Sequence, residues 1–274
     1  MDKMILFSHS GNMGDLLYSL YMVTELSEHL GMPAWLHLQT NVHFDYSYQT
    51  HPNGDVGFTQ ANVEFMRPLL ETIPLIRKIT FGDEIPPHDG VAVDLSMFRR
   101  ISIDLLAGNL PRYYYNLVNL HLPQDLSRQL ISVEPDYSLR DRIVLVHSTR
   151  YCNALLKLDG LAKYRDRLVF MGLKAEHEAF CSKWFDVEYR GISNALEFAR
   201  LLRGSGGIIS NQNGLYAIAE LMKVPRVILS YEYGMINGKI MPGSPINLPV
   251  GGWYEMVQSP VKFDSAVANL MQRV

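Results

Sequence analysis

Met4-Ile-Leu-Phe-Ser-His-Ser-Gly-Asn-Met-Gly-Asp-Leu-Leu-Tyr-Ser-Leu20 is the stretch that decides the fold. Met4 to Phe7 is a short apolar run, which reads as a parallel strand buried on both faces. Ser8 to Gly14 is a turn of small and polar residues. From Asp15 onward Leu16, Leu17, Leu20, Val23, Leu26 and Leu30 recur at helical spacing until Gly31 closes the helix. Ala34–Leu38 reads as a second strand, so the opening is one βαβ unit.

Outward from this unit, a helix is expected over Gln60–Thr72, and strands over Ile76–Phe81 and Val91–Leu95 complete a first sheet. Residues 39–57 are polar and long for a plain connection, which marks a functional loop or short elements within it. Val133-Glu-Pro-Asp-Tyr-Ser-Leu-Arg-Asp141 is polar and contains a proline, and it places a boundary between residues 1–139 and 140–274. The pattern then restarts with a strand over Ile143–His147, a helix near Leu155–Tyr164 and a strand over Arg167–Met171. A helix over Ala195–Arg203, a strand over Gly207–Ser210, a helix over Gly214–Met222 and a strand over Arg226–Leu229 follow. Phe263–Val274 reads as a final amphipathic helix that could pack back on the first half. The expected fold is α/β, with two Rossmann-like doubly wound domains and a cleft between them. Such sheets bind ligands beyond the carboxyl ends of their strands.

Of the 274 residues, 47% are hydrophobic and 19% charged, a globular composition with ample core. A formal charge of -3 argues against general attraction to nucleic acid. Met4–Phe7 is too short an apolar run for a signal peptide, and no stretch approaches the roughly 20 apolar residues of a membrane span. Membrane contact is therefore expected to be peripheral at most. Cys152 and Cys181 lack metal-ligand spacing and are expected to be reduced in a cytoplasmic protein.

Three polar turns follow strands and open toward helices. Gly11-Asn-Met-Gly-Asp15 suits an anion at a helix start, although it is neither GxGxxG nor a phosphate-binding P-loop. Asp15 reads two ways: as a cap or dipole partner of its helix, or as a general base facing the cleft. His147-Ser-Thr-Arg150, with Lys157 seven residues on, offers hydroxyls and charge to diphosphate oxygens, or else is an ordinary capped turn with a solvated Arg. Asn211-Gln-Asn-Gly214 opens another helix, on which Asn213, Tyr216 and Glu220 share a face toward the cleft, or else its Asn residues merely cap and turn. No GxSxG elbow, HExxH or CxxC is present. Three such turns spread over both halves point to a cleft for a phosphorylated small molecule.

Asn12-Met-Gly-Asp-Leu-Leu-Tyr-Ser-Leu20 resembles the opening motif of the lipopolysaccharide heptosyltransferases, glycosyltransferase family 9. The resemblance implies that Asn12, Met13 and Gly14 border the donor and that Asp15 is the catalytic base. Val146-His-Ser-Thr-Arg150 resembles the family's donor-phosphate turn, so Ser148, Thr149 and Arg150 are implied there, with Lys157 as the phosphate-binding Lys. Gly172-Leu-Lys-Ala-Glu-His-Glu178 resembles the segment whose first Glu meets the ribose, here Glu176. Gly191-Ile-Ser-Asn-Ala-Leu-Glu-Phe-Ala199 puts Ile192 near the base. Ile209-Ser-Asn-Gln-Asn-Gly-Leu-Tyr-Ala-Ile-Ala219 follows the Asp-Ser/Thr-Gly-x-x-His-x-Ala signature, which adds Asn211, Gln212, Asn213, Gly214 and Tyr216 to the donor site.

Two positions depart from that signature: Gln212 stands in place of its Asp and Ala217 in place of its His. The resemblance implies a GT-B fold, donor binding mainly by the second domain, and inverting transfer without a metal or other cofactor. The expected function is transfer of a sugar from a nucleoside-diphosphate donor to a hydroxyl on a glycan, lipid-linked or other acceptor. The departures leave two alternatives, a nucleotide-sugar epimerase on the same fold or a sugar-nucleotide binder without turnover.

Overall fold

The computed structural model describes residues 3–44, 54–100, 110–119, 126–230, 235–236, 239–240 and 250–273. β1 (Ile5–His9), β2 (Ala34–Gln39), β3 (Ile76–Gly82) and β4 (Ala92–Asp94) form a parallel sheet in the order β3-β2-β1-β4. β5 (Ile143–Val146), β6 (Leu168–Phe170), β7 (Glu188–Tyr189), β8 (Ile208–Asn211), β9 (Arg226–Leu229) and β12 (Tyr254–Val257) form a second, in the order β12-β9-β8-β5-β6-β7. β10 (Met235–Ile236) and β11 (Lys239–Ile240) make a separate antiparallel pair. Among the described residues no strand of the first sheet pairs with the second. The fold is thus α/β, of the two-sheet GT-B type.

Each sheet reverses its winding at one point. In the first, β2 and β4 flank β1; in the second, β6 and β8 flank β5. At such a point neighbouring connections leave on opposite faces and open a crevice at the strands' carboxyl ends. The turns after β1, β5 and β8 all lie at these two crevices.

α1 (Met13–Leu30) buries Leu16, Leu17, Leu20 and Val23 completely, each worth about 1.5–3 kcal/mol of apolar burial. Gly31 ends it in the left-handed conformation, φ 61°. α2 (Gln60–Leu70) begins with a capping box in which Thr59 and Asn62 satisfy each other's backbone N–H groups. α3 (Leu110–Tyr115), α4 (Lys174–Lys183), α5 (Ala195–Gly204) and α6 (Gly214–Met222) follow. α1 packs on α6 and α2 on α5, so one apolar core runs through both halves. No helix among the described residues is long and apolar enough to cross a membrane.

Several expectations are corrected. The expected helix over 155–164 is instead a 3-10 helix, Asp159–Arg167. α7 (Pro260–Met271), which was expected to be able to pack back on the first half, has its main strand contacts with β12 and β9 among the described residues. Phe263, Val267 and Leu270 bury against the second sheet, beside Val227, Leu229 and Val257. α3, α4, β7, β10, β11 and β12 were not expected from the pattern. Within 39–57, Thr40 bridges to Phe58 and His43 to Val56, while 45–53 lie outside the described residues.

Candidate active site

At the first crevice the β1 turn is held to the segment after β4. Ser10 N donates to Ser96 Oγ at 2.9 Å, and the two hydroxyls are 2.8 Å apart. Gly57 lies so close to this turn that a Cβ there would stand 2.2 Å from the Ser10 carbonyl oxygen, which only glycine avoids. Asn12 takes the cap position of α1, and Asp15 is an acidic residue in its first turn. The Asp15 carboxylate is half-buried and lies over Gly11, its Oδ2 3.4 Å from where a Cβ would be.

At the second crevice Asn211 clasps the β5 turn. Its Oδ1 accepts from Ser148 N at 2.9 Å, and its Nδ2 donates to the carbonyls of Ser148 and Arg150 at 2.8 and 2.7 Å. Asn213 caps α6, its Oδ1 accepting from Tyr216 N at 2.9 Å. The N–H groups of Gly214 and Leu215 have no hydrogen-bond partner among the described residues, as expected for the start of a helix.

The two crevices meet. A Cβ on Gly214 would lie 3.5 Å from the Met13 Cβ and 3.8 Å from Gly14 N, so the starts of α1 and α6 touch. At the other end Lys223 donates to Tyr21 Oη at 2.7 Å, so the two helices run side by side with both N-termini at the cleft. Beside them is a cavity of about 330 Å³. The second half lines it with Ser148, Arg150, Glu176, Ile192, Asn213 and Gly214. The first half contributes Met13 and, from α2, Ala61, Asn62 and Phe65.

The Arg150 Nε is buried without a hydrogen-bond partner among the described residues. Burial raises the Glu176 carboxyl above its ordinary range, opposed by hydrogen bonds from Ser148, Leu173 and Thr149 and by the Arg150 charge. The site is a helix start, an arginine and a hydrogen-bonded carboxylate around an apolar wall. That set can hold an anion joined to a polar ring and an apolar plane. Among the described residues no group of three or more His, Cys, Asp or Glu is placed to hold a metal ion.

Other expected residues lie elsewhere. Lys157 is exposed and does not line the cavity, because its neighbours Leu156 and Leu158 are the buried positions of that loop. Tyr216 is fully buried, and Glu220 is paired with Arg226 in the interior, so the face they share turns inward. Position 217 is likewise fully buried, so Ala217 fills core rather than cavity. Asn211 is spent on the clasp. Gln212 Oε1 is buried without a partner among the described residues, off the cavity wall. Asn12, Gly14 and Asp15 border the cavity without lining it, and Thr149 lies on the far side of Glu176. Ala61, Asn62 and Phe65 were missed, because nothing local distinguishes them from an ordinary helix face.

His147, at the end of β5, is pushed from the ordinary 6.5 to about 4 by burial and then by the Lys183 charge. The unfolded chain therefore binds this proton first on acidification. Stability present above the ordinary value is lost as pH falls toward about 4, by up to about 3 kcal/mol. Urea unfolding at about pH 7 and about pH 4.5 should show that loss, and His147→Asn should reduce it. An equal loss in the variant would assign it to other groups.

The fold and this cleft define an α/β protein of GT-B architecture with a cavity between its two halves. More particularly, the fold is that of the family 9 glycosyltransferases and heptosyltransferases. A glycosyl transferase family 9 protein from Veillonella parvula DSM 2008 superposes over 99% of this chain and 98% of its own, with TM-score 0.61 and 9% identity. The E. coli heptosyltransferase WaaC with ADP superposes over 99% and 100%, with TM-score 0.60 and 12% identity. E. coli ADP-heptose lps heptosyltransferase II gives 98% and 99%, TM-score 0.58 and 13% identity. No protein-family model matches the chain, and no curated protein matches it in sequence.

Proposed function

We propose that the chain is a glycosyltransferase that moves a sugar from a nucleoside-diphosphate donor to an acceptor hydroxyl. The observation that carries this reading is the cavity at the second sheet's switch point, where Arg150, Glu176 and the start of α6 converge. The diphosphate lies against the N–H groups of Gly214 and Leu215, with Arg150 supplying charge. The ribose reaches Glu176, and the base lies on Ile192 from one half and Phe65 from the other. The second half thus holds most of the donor, with Phe65 of the first half against its base, and the first half faces the acceptor.

Asp15 takes the proton from the acceptor hydroxyl, whose oxygen attacks the anomeric carbon in line and inverts it. The bond to the diphosphate breaks, and Arg150 and the α6 start take up the leaving charge, a role that asks for no metal. A sugar-nucleotide binder without turnover is the second reading, favoured by Asp15 standing off the cavity wall.

A thermal-shift screen of nucleoside diphosphates and their sugars identifies the donor, because a ligand that binds only the folded state raises Tm. Release of nucleoside diphosphate that quickens with acceptor separates transferase from binder. Arg150→Ala should weaken nucleoside-diphosphate binding by about 1.5–3 kcal/mol, the worth of a charged hydrogen bond. Unchanged affinity by calorimetry would remove Arg150 from the site.

A further inference from the structure

A second cavity, about 340 Å³, lies within the second half on the other side of Glu176. One wall is the loop from His147 to Leu158. The chain stays out of a helix there until Asp159, and Tyr151 takes a left-handed φ of 50°. The other wall is one face of α4, where Glu176, Ala179, Phe180, Lys183 and Trp184 recur at helical spacing. Leu156, Leu158 and Leu229 add apolar surface.

Most polar groups around this cavity are already spent. Asn153 Nδ2 donates to the carbonyls of Ser230 and Gln258, both at 2.8 Å, and the Asn211 amide holds the β5 turn. Burial pushes the Cys152 thiol up to about 11, so it is a protonated wall group rather than a nucleophile. His147 is neutral. The Lys183 ammonium differs: it has no carboxylate partner among the described residues and lies 4.8 Å from the Trp184 ring centroid. Lys183 is exposed to solvent and lines the cavity at the end of α4 away from Glu176. Glu176 lies seven residues earlier on the same helix face, about 10 Å along the axis.

A cation at one end, a hydrogen-bond acceptor at the other and an aromatic and aliphatic wall between define the occupant. We propose that this cavity binds a small aromatic acid with a hydroxyl or amino donor opposite its carboxylate. The carboxylate pairs with Lys183, the ring lies against Phe180 and Leu156, and the donor reaches Glu176. Glu176 lines both cavities, so the occupant's donor and the ribose of a nucleotide in the first cavity meet the same carboxylate from its two sides.

Calorimetry with 3-(4-hydroxyphenyl)propionate tests it, beside 3-phenylpropionate and the neutral 3-(4-hydroxyphenyl)propionamide. The hydroxy acid should bind about tenfold more tightly than either, since each control loses one charged hydrogen bond. Lys183→Met should remove the preference for acid over amide without abolishing amide binding. Ala179→Trp, at an exposed α4 position that lines the cavity, should fill it and abolish binding of all three. No binding of the hydroxy acid at millimolar concentration, equal binding of acid and amide, or wild-type binding by Ala179→Trp would each overturn the proposal.

Discussion

Glu220→Ala is expected to lower stability by about 3–5 kcal/mol, the cost of leaving a buried charge without its partner. Arg226 is 0% exposed and Glu220 4% exposed, with Nε and Oε2 2.8 Å apart. The other carboxylate oxygen accepts from Val250 N at 2.8 Å and lies 3.4 Å from Lys223 Nζ. Without the carboxylate, Arg226 keeps, among the described residues, the carbonyls of Val224, Val250 and Gly251 and the Tyr254 ring, none of them an anion. Two cations then face each other in the interior. The exposed pair Lys174–Glu178, 3.9 Å apart, is the control: Lys174→Ala should change stability by less than about 0.5 kcal/mol. Denaturant unfolding reads both. A loss at Glu220 as small as the control's would mean that water reaches Arg226 and that the network is not closed.

That network also shows where sequence reasoning stops. Helical spacing correctly puts Asn213, Tyr216 and Glu220 on neighbouring turns of α6, but it cannot say whether their face meets cavity or core. The limits of α6 itself were legible, because Asn213 caps it, and the strand after it was read as Arg226–Leu229, as observed. α4 was not legible as a helix, because only Phe180 of its ten residues is buried and no apolar stripe marks it. β12 was missed for a similar reason, since it lies at the sheet edge with only Val257 buried.

The turns at both switch points could be read, because small polar residues after an apolar run have few other uses. What each turn residue does there depends on distant partners. Asn211 serves the β5 turn, 63 residues away, and Phe65 reaches the cavity only because α2 packs on α5. Those pairings join segments far apart in the chain that carry no mutual signal in sequence.

Asp15→Asn is expected to keep the fold and donor affinity and to lower turnover roughly 10²–10⁴-fold. Asn12, not Asp15, holds the cap position of α1, so the substitution leaves the cap in place and removes a negative charge from the helix start. That charge is worth about 0.3–1 kcal/mol. Asp15 does not line the donor cavity, so nucleoside-diphosphate affinity should be unchanged by calorimetry. The proton-accepting role fails entirely, because an amide cannot take up a proton at neutral pH. The two roles of a carboxylate in this turn therefore separate in one variant: a dipole partner loses a little stability and no turnover, and a base loses turnover and little stability. Met13 lies on the cavity wall two residues before Asp15, and the carboxylate stands over Gly11 on the first half's side. An acceptor hydroxyl would have to enter from that side. Normal turnover by the Asn variant would exclude Asp15 as the base, and a wild-type chain that binds donor without acceptor-dependent release would establish the binder instead.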